Sequence, residues 1–161
     1  VYRQGDFPED YDFWLRALAA GHRFGKVPEA VLRWHDPPTR LTRTHPAYSV
    51  EAFYRTKAHY LAGWLGQHNQ HHPYVYICGA GAPTRKRVSH LLAEGISVAG
   101  WVDVKPRNVP GYGPSIALED LPPPGAAFVV PYVGRRGAGE LIRQRLLASG
   151  YQEGADFIRA A

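Results

Sequence analysis

The sequence predicts an α/β protein in two parts, and three observations carry the prediction. Beyond Pro73, short apolar runs alternate with segments of helical periodicity, the pattern of a small parallel sheet with helices packed on it. Gly79-Ala80-Gly81 stands between the first such run and the first such segment, where a strand turns into a helix. Ahead of Pro73 the apolar residues recur mainly at helical spacing, with room for two short strands. The reading is therefore helices plus short strands over 1–66, a linker over 67–73, and a parallel-sheet α/β domain over 74–161.

Residues 1–8 carry no periodic signal. A helix is predicted over 9–20, because Tyr11, Trp14, Leu15 and Leu18 fall on one face at i, i+3, i+4 and i+7. Asp6-Phe7-Pro8-Glu9 fits a capping pattern at its start, and Gly21 stands where it would stop. Arg23–Val27 and Ala30–Trp34 are strand candidates parted by the turn-compatible pair Pro28-Glu29. His35–Pro46 is a proline-rich loop that carries Arg40 and Arg43. A second helix is predicted over 47–65, with Phe53, Tyr60, Leu61, Trp64 and Leu65 as its packing face. The run from Gly66 to Pro73 is polar and aperiodic, and its histidines match no standard metal-binding spacing.

In the second part, Tyr74–Cys78 is a strand and 83–94 a helix, opened by Pro83 at a position where a missing N–H costs nothing. Gly95 ends that helix, and Ile96–Val102 is the next strand, followed by Asp103. Lys105–Ser115 is a loop rich in proline and glycine. Leu118–Leu121 is a short helical turn, Phe128–Val133 a third strand, 137–149 a helix, and Tyr151–Arg159 a last short strand.

Composition narrows the function classes. A net charge of +5 with no dense basic stripe argues against a nucleic-acid duplex as partner and permits anionic small molecules. The single cysteine, Cys78, rules out an internal disulfide and fits a reducing, cytoplasmic setting. No apolar run approaches the roughly 20 residues of a membrane span. The sequence contains no methionine, which suggests a piece of a longer reading frame. Homo-oligomer formation stays open.

Glu9, Asp10 and Asp12 place three acids in four positions at the mouth of the first helix. Acids there complement the free N–H groups and the macrodipole, and a rigidly held carboxylate can also serve as a general base. The surrounding order of motifs favours chemistry. Glu9-Asp10-Tyr11-Asp12-Phe13-Trp14-Leu15-Arg16, then Ala20-Gly21-His22-Arg23-Phe24, Val27-Pro28-Glu29-Ala30-Val31-Leu32-Arg33-Trp34 and His35-Asp36-Pro37-Pro38-Thr39-Arg40-Leu41-Thr42-Arg43 together resemble the C-terminal part of a family 2 glycosyltransferase of GT-A fold. The resemblance implies transfer of a sugar from a nucleotide-diphosphate donor to an acceptor hydroxyl with inversion. It makes Asp10 the base, with Glu9 as the second choice and Asp12 structural. It also implies a divalent metal (Mg or Mn) that His35 would approach, arginines Arg40 and Arg43 on the diphosphate, and Trp34 against a sugar ring. No Asp-x-Asp element precedes Asp10, so the donor half is expected to be missing and the isolated fragment inactive.

Gly79-Ala80-Gly81 followed by Asp103, 24 residues beyond Gly79, is the opening of a dinucleotide-binding fingerprint. The third small position is Thr84, which is β-branched and should hold the helix slightly off the strand. Arg85, Lys86 and Arg87 are either phosphate-attracting or a solvated face. With Val98-Ala99-Gly100-Trp101-Val102-Asp103 and Asp156-Phe157-Ile158, residues 74–161 resemble small Rossmann-like domains fused to sugar-modifying proteins. That resemblance implies Gly79, Gly81 and Asp103 as the contacts of a nicotinamide or other nucleotide, if one binds. The alternative functions are a nucleotide-binding regulatory module and an interaction domain presenting Phe53, Tyr60 and Trp64.

Overall fold

The structure, a computed structural model, describes residues 1–33, 35, 37 and 39–160, leaving aside the side chain of Leu41. The chain is mixed α/β and divides into two compact units, Val1–Tyr60 and Leu61–Ala161.

In the first unit, α1 covers Glu9–Ala19, a four-residue α2 covers Leu41–Thr44, and α3 covers Val50–His68, so that the unit boundary falls within α3. Helix α1 begins at Pro8, whose extended backbone turns the chain but offers no side-chain cap. Asp6 is therefore not a capping residue; its carbonyl instead accepts a hydrogen bond from Arg55 at 2.7 Å. At the other end, Gly21 in the left-handed conformation and the bond from His22 N–H to Ala17 O close the helix as glycine predicts.

The face that α1 buries is not the apolar one. Asp12 is 5% exposed, whereas Trp14 and Leu18 are 48% and 53% exposed. Two fixed partners outweigh the periodicity: the Tyr60 hydroxyl donates to Asp12 Oδ1 at 2.5 Å, and Arg16 Nη2 donates to Oδ2 at 3.2 Å. The strand candidates at 23–27 and 30–34 do not form among the described residues. Val27, Val31 and Leu32 stand exposed there, and an extended segment without a neighbouring strand has nothing to pair with. The predicted second helix is split. Pro46–Tyr48 makes a 3₁₀ turn, Ser49 is extended, and its hydroxyl accepts the N–H of Ala52 to start α3.

Helix α3 continues three residues past the predicted end at Leu65, into the run expected to be linker. The polar residues after it form an ordered turn. Asn69 is buried, its amide donating to Tyr74 O at 3.0 Å and accepting from His71 N–H at 2.8 Å.

The second unit is built on a three-stranded parallel sheet: β1 (Tyr74–Cys78) in the centre, β2 (Ser97–Val102) on one side and, beyond a small antiparallel pair β3 (Asn108–Val109) and β4 (Gly113–Pro114), β5 (Val129–Pro131) on the other. Helix α4 (Ala82–Ala93) links β1 to β2, and α5 (Ala138–Ala148) follows β5. All three residues of β5 are buried, as expected for a parallel strand covered on both faces. Cys78, Val102, Val129, Leu146, Tyr151 and Phe157 form a continuous core cluster. On α4, Thr84, Val88 and Leu91 are buried at i, i+4 and i+7, the stripe a helix packed on a sheet requires. The tail joins the sheet through a parallel bridge from Phe157 to Val129, where a last strand was expected. No helix among the described residues is long and apolar enough to cross a membrane.

Candidate functional site

Three acids enter α1, and the structure gives each a different fate. Glu9 accepts a hydrogen bond from the Tyr48 hydroxyl. Asp12 is held by Tyr60 and Arg16, and Arg16 also binds Val1 O at 3.0 Å, so Asp12 is a structural group as the sequence implied. Asp10 is exposed and accepts only the N–H of Tyr11, at 2.7 Å; among the described residues it has no side-chain partner. The free carboxylate thus stands beside two occupied ones.

The Glu9–Tyr48 contact has a measurable signature. The hydrogen bond to Glu9 is the first cause, with burial and the charges of Glu9 and Asp10 behind it, that pushes the Tyr48 phenol up from 10.0 to about 12. The folded state therefore favours the protonated phenol. The stability this contributes is full below pH 10 and is lost as pH rises from 10 through about 12. Tyr48→Phe should remove that component, so chemical-denaturation midpoints of wild type and variant should converge across this range. Parallel curves would show that the bond contributes nothing.

The other residues expected near the acids lie on the segment after Val31. His35 is exposed, Arg40 precedes α2 and Arg43 lies within it, where Arg43 Nη1 approaches Pro37 O at 3.5 Å. The segment is thus partly organised as a helical turn and not wholly loop. Trp34 lies outside the described residues. No group of three or more metal-ligating side chains gathers among the described residues, His35 included. A groove beside α1, lined by Phe13, Trp14, Arg16, His22 and Phe24, does not include Asp10. Of the residues expected to present an interaction surface, Phe53 packs against Tyr11, Tyr60 is tied to Asp12, and Trp64 stacks on His68 at 4.2 Å; all three are half-buried.

In the second unit, Gly79, Gly81 and Asp103 do come together, at the wall of a cleft of about 420 Å³. The cleft lies outside the carboxyl ends of β1, β2 and β5, where the chain leaves β1 for α4 and β5 for α5, the usual side for a ligand in parallel sheets. Gly79 is required by packing. Its φ is +105°, and an added Cβ would approach Val133 Cγ2 to 2.8 Å and Thr84 Oγ1 to 3.1 Å. Thr84 fits the crossing after all: it is buried, with its hydroxyl directed to Tyr132 O at 3.4 Å.

The glycine turn is already occupied. Asp103 Oδ2 accepts the N–H of Ala80 at 3.2 Å, Oδ1 accepts that of Lys105 at 3.3 Å, and Arg107 Nε lies 3.4 Å from Oδ2. Arg85 of α4 turns back to Ala80 O at 2.6 Å. Across the cleft stand two residues that sequence reasoning missed, Arg135 and Arg145, above apolar walls that include Leu118, Leu141 and Ile142. The signal was available in Gly134-Arg135-Arg136-Gly137, a second glycine-framed turn between a strand and a helix.

Cys78 borders the same cleft but is only 2% exposed, and burial pushes its thiol up to about 12. It should resist an aromatic disulfide reagent in the native protein and react promptly in denaturant; a fast native reaction would show that the end of β1 opens to solvent. Compared with protein-family models, curated proteins and solved structures, the chain gives no significant match.

Proposed function

We propose that the first unit is the acceptor side of a family 2, GT-A-type glycosyltransferase, with Asp10 as its general base. The observation that carries this reading is the division of labour among the α1 acids: Glu9 and Asp12 are each bound by a tyrosine hydroxyl, and Asp10 alone is left open to a substrate. The exposed Trp14, Leu18, Phe24, Val31 and Leu32 add support, since an apolar surface of this extent suits a unit that packs within a larger catalytic domain.

In the proposed reaction the acceptor oxygen attacks the anomeric carbon from the face opposite the nucleoside diphosphate. The new C–O bond forms as the bond to the diphosphate breaks, and the leaving group takes the electron pair. The hydroxyl proton passes to the Asp10 carboxylate, and the anomeric configuration inverts. Arg40 and Arg43 would offset the charge growing on the diphosphate. A divalent metal, when bound, would supply further charge there. The described residues do not compose a site for it, so no step is assigned to it.

The test uses the reading frame that contains this sequence. Release of nucleoside diphosphate is followed over a panel of nucleotide-sugar donors, with and without Mg²⁺ or Mn²⁺. Donor-dependent release that requires Asp10 supports the reading; no release with any donor, from folded protein, removes it.

A further inference from the structure

Three short basic runs, far apart in the sequence, meet at the carboxyl end of the sheet in the second unit. Arg85, Lys86 and Arg87 lie in the first two turns of α4. Arg85 Nη1 donates to Ala80 O at 2.6 Å, and the N–H of Ala80 donates to Asp103 at 3.2 Å. The same carboxylate accepts the N–H of Lys105 and lies 3.4 Å from Arg107 Nε, which brings the run after β2 to the start of α4. On the other side, the guanidinium of Arg87 fills the space that a side chain on Gly134 would need, next to the exposed Arg135 and Arg136. Seven of the ten lysines and arginines in residues 61–161 are thus gathered at one end.

The acids do not follow them. Asp103 sits among the cations and is already engaged. Glu119 lies beside Arg145 at 3.8 Å, Glu140 and Glu153 are gripped by Arg143 and Arg159, and Asp156 accepts the N–H groups of Gly125 and Gln152. The positive charge is therefore concentrated, although residues 61–161 carry a net charge of only +3, ten cations against seven acids. Helices α4 and α5 both start at this end, and cations near a helix N-terminus oppose its dipole. Folding gains nothing from such crowding, which points to an anionic partner outside the chain. Apolar groups stand in the same surface: Val104, next to Lys105, is 83% exposed, and Leu141, near the start of α5, is 55% exposed. The three runs, 82–89, 103–108 and 134–137, contain no aromatic residue on which a nucleic-acid base could stack.

We infer that the carboxyl end of this sheet docks on a membrane surface rich in acidic lipid, with the cations among the headgroups and Val104 entering the interface. Acidic headgroups present negative charge spread over an area, which suits cations distributed around a rim better than one small anion does. An exposed aliphatic side chain among those cations gains from the acyl boundary, whereas a soluble polyanion offers it nothing. The contact is peripheral and requires no spanning helix. It depends neither on the role given to Asp10 nor on any ligand in the cleft.

The experiment is co-sedimentation of the whole 161-residue chain with phosphatidylcholine vesicles, with and without phosphatidylglycerol. Binding is expected only where phosphatidylglycerol is present, and it should vanish in about 1 M salt, where charges are screened beyond roughly 3 Å. Arg135→Ala combined with Arg136→Ala should weaken partitioning about 25-fold, roughly fivefold for each cation removed near such a surface. Arg23→Ala combined with Lys26→Ala takes the same charge from the first unit and should have far less effect. An equal loss would mean that net charge alone is at work and would overturn the assigned surface. Val104→Ser separates a bilayer from a soluble polyanion: it should weaken binding to acidic vesicles and leave binding to a single-stranded oligoribonucleotide unchanged. An oligoribonucleotide bound more tightly than the vesicles, with Val104→Ser affecting neither, would assign the surface to nucleic acid and overturn the inference. Failure of the folded protein to bind acidic vesicles at low salt would overturn it as well.

Discussion

Under the proposed transferase reading, Asp10→Asn should reduce turnover by about 10²–10⁴-fold, the usual contribution of a positioned general base. The loss should appear in kcat with little change in KM for the donor, because the carboxylate acts on the acceptor proton as it becomes acidic. Folding should be unaffected, since Asp10 is exposed and bonded only to the N–H next to it. Glu9→Gln separates the two adjacent acids: it keeps an acceptor for Tyr48 while removing the charge. If Glu9→Gln abolishes turnover and Asp10→Asn does not, the base is Glu9. Asp12→Asn is the control for structural damage, because its expected effect is a lower unfolding midpoint through the Tyr60 and Arg16 bonds.

Gly79→Ala carries the largest expected effect on stability. Alanine there must adopt a φ near +105° and place a methyl 2.8 Å from Val133 Cγ2, in the packed crossing of β1, α4 and the end of β5. Backbone strain and overpacking together should cost about 2–4 kcal/mol. For a unit of this size that corresponds to a fall in melting temperature of roughly 10–25 °C. Gly81→Ala is the contrast, because φ is −69° and an added Cβ meets only Pro83 Cδ at 3.7 Å. It should be neutral or stabilising by up to about 1 kcal/mol, through a less flexible unfolded chain. Thermal unfolding followed by circular dichroism distinguishes the two; equal melting temperatures would mean that the turn relaxes freely.

The elements legible in the sequence were those fixed by local patterns. Helix α1, strand β1, helix α4 and helix α5 appear within a few residues of their predicted bounds because glycine, proline and apolar period mark their ends. What the pattern could not show was choice of partner. Asp12 is buried because Tyr60, 48 residues away, reaches it, and no count of apolar residues anticipates that. The same limit produced the two strands that do not form among the described residues: the β-compatible runs within 23–27 and 30–33 find no strand to pair with there. The three residues of the fingerprint, Gly79, Gly81 and Asp103, line one cleft, but spacing alone does not show that the acid closes the turn. Arg135 and Arg145, which also line the cleft, lie outside that fingerprint, in the Gly134–Gly137 turn and on α5.

The short bridges flanking the sheet have a consequence for how this unit tolerates being cut. Ile116 bonds both sides of Val102, donating to Trp101 O and accepting from Asp103 N–H. At the opposite border the backbone of Asp156, Ile158 and Ala160 hydrogen-bonds Val129 and Pro131. The β5 rim is thus covered by irregular chain, and the β2 rim is met by it at its carboxyl end. Stripping the last half-dozen residues would leave β5 with bare amides and carbonyls, and the predicted outcome is self-association through that border, ahead of any loss of helix.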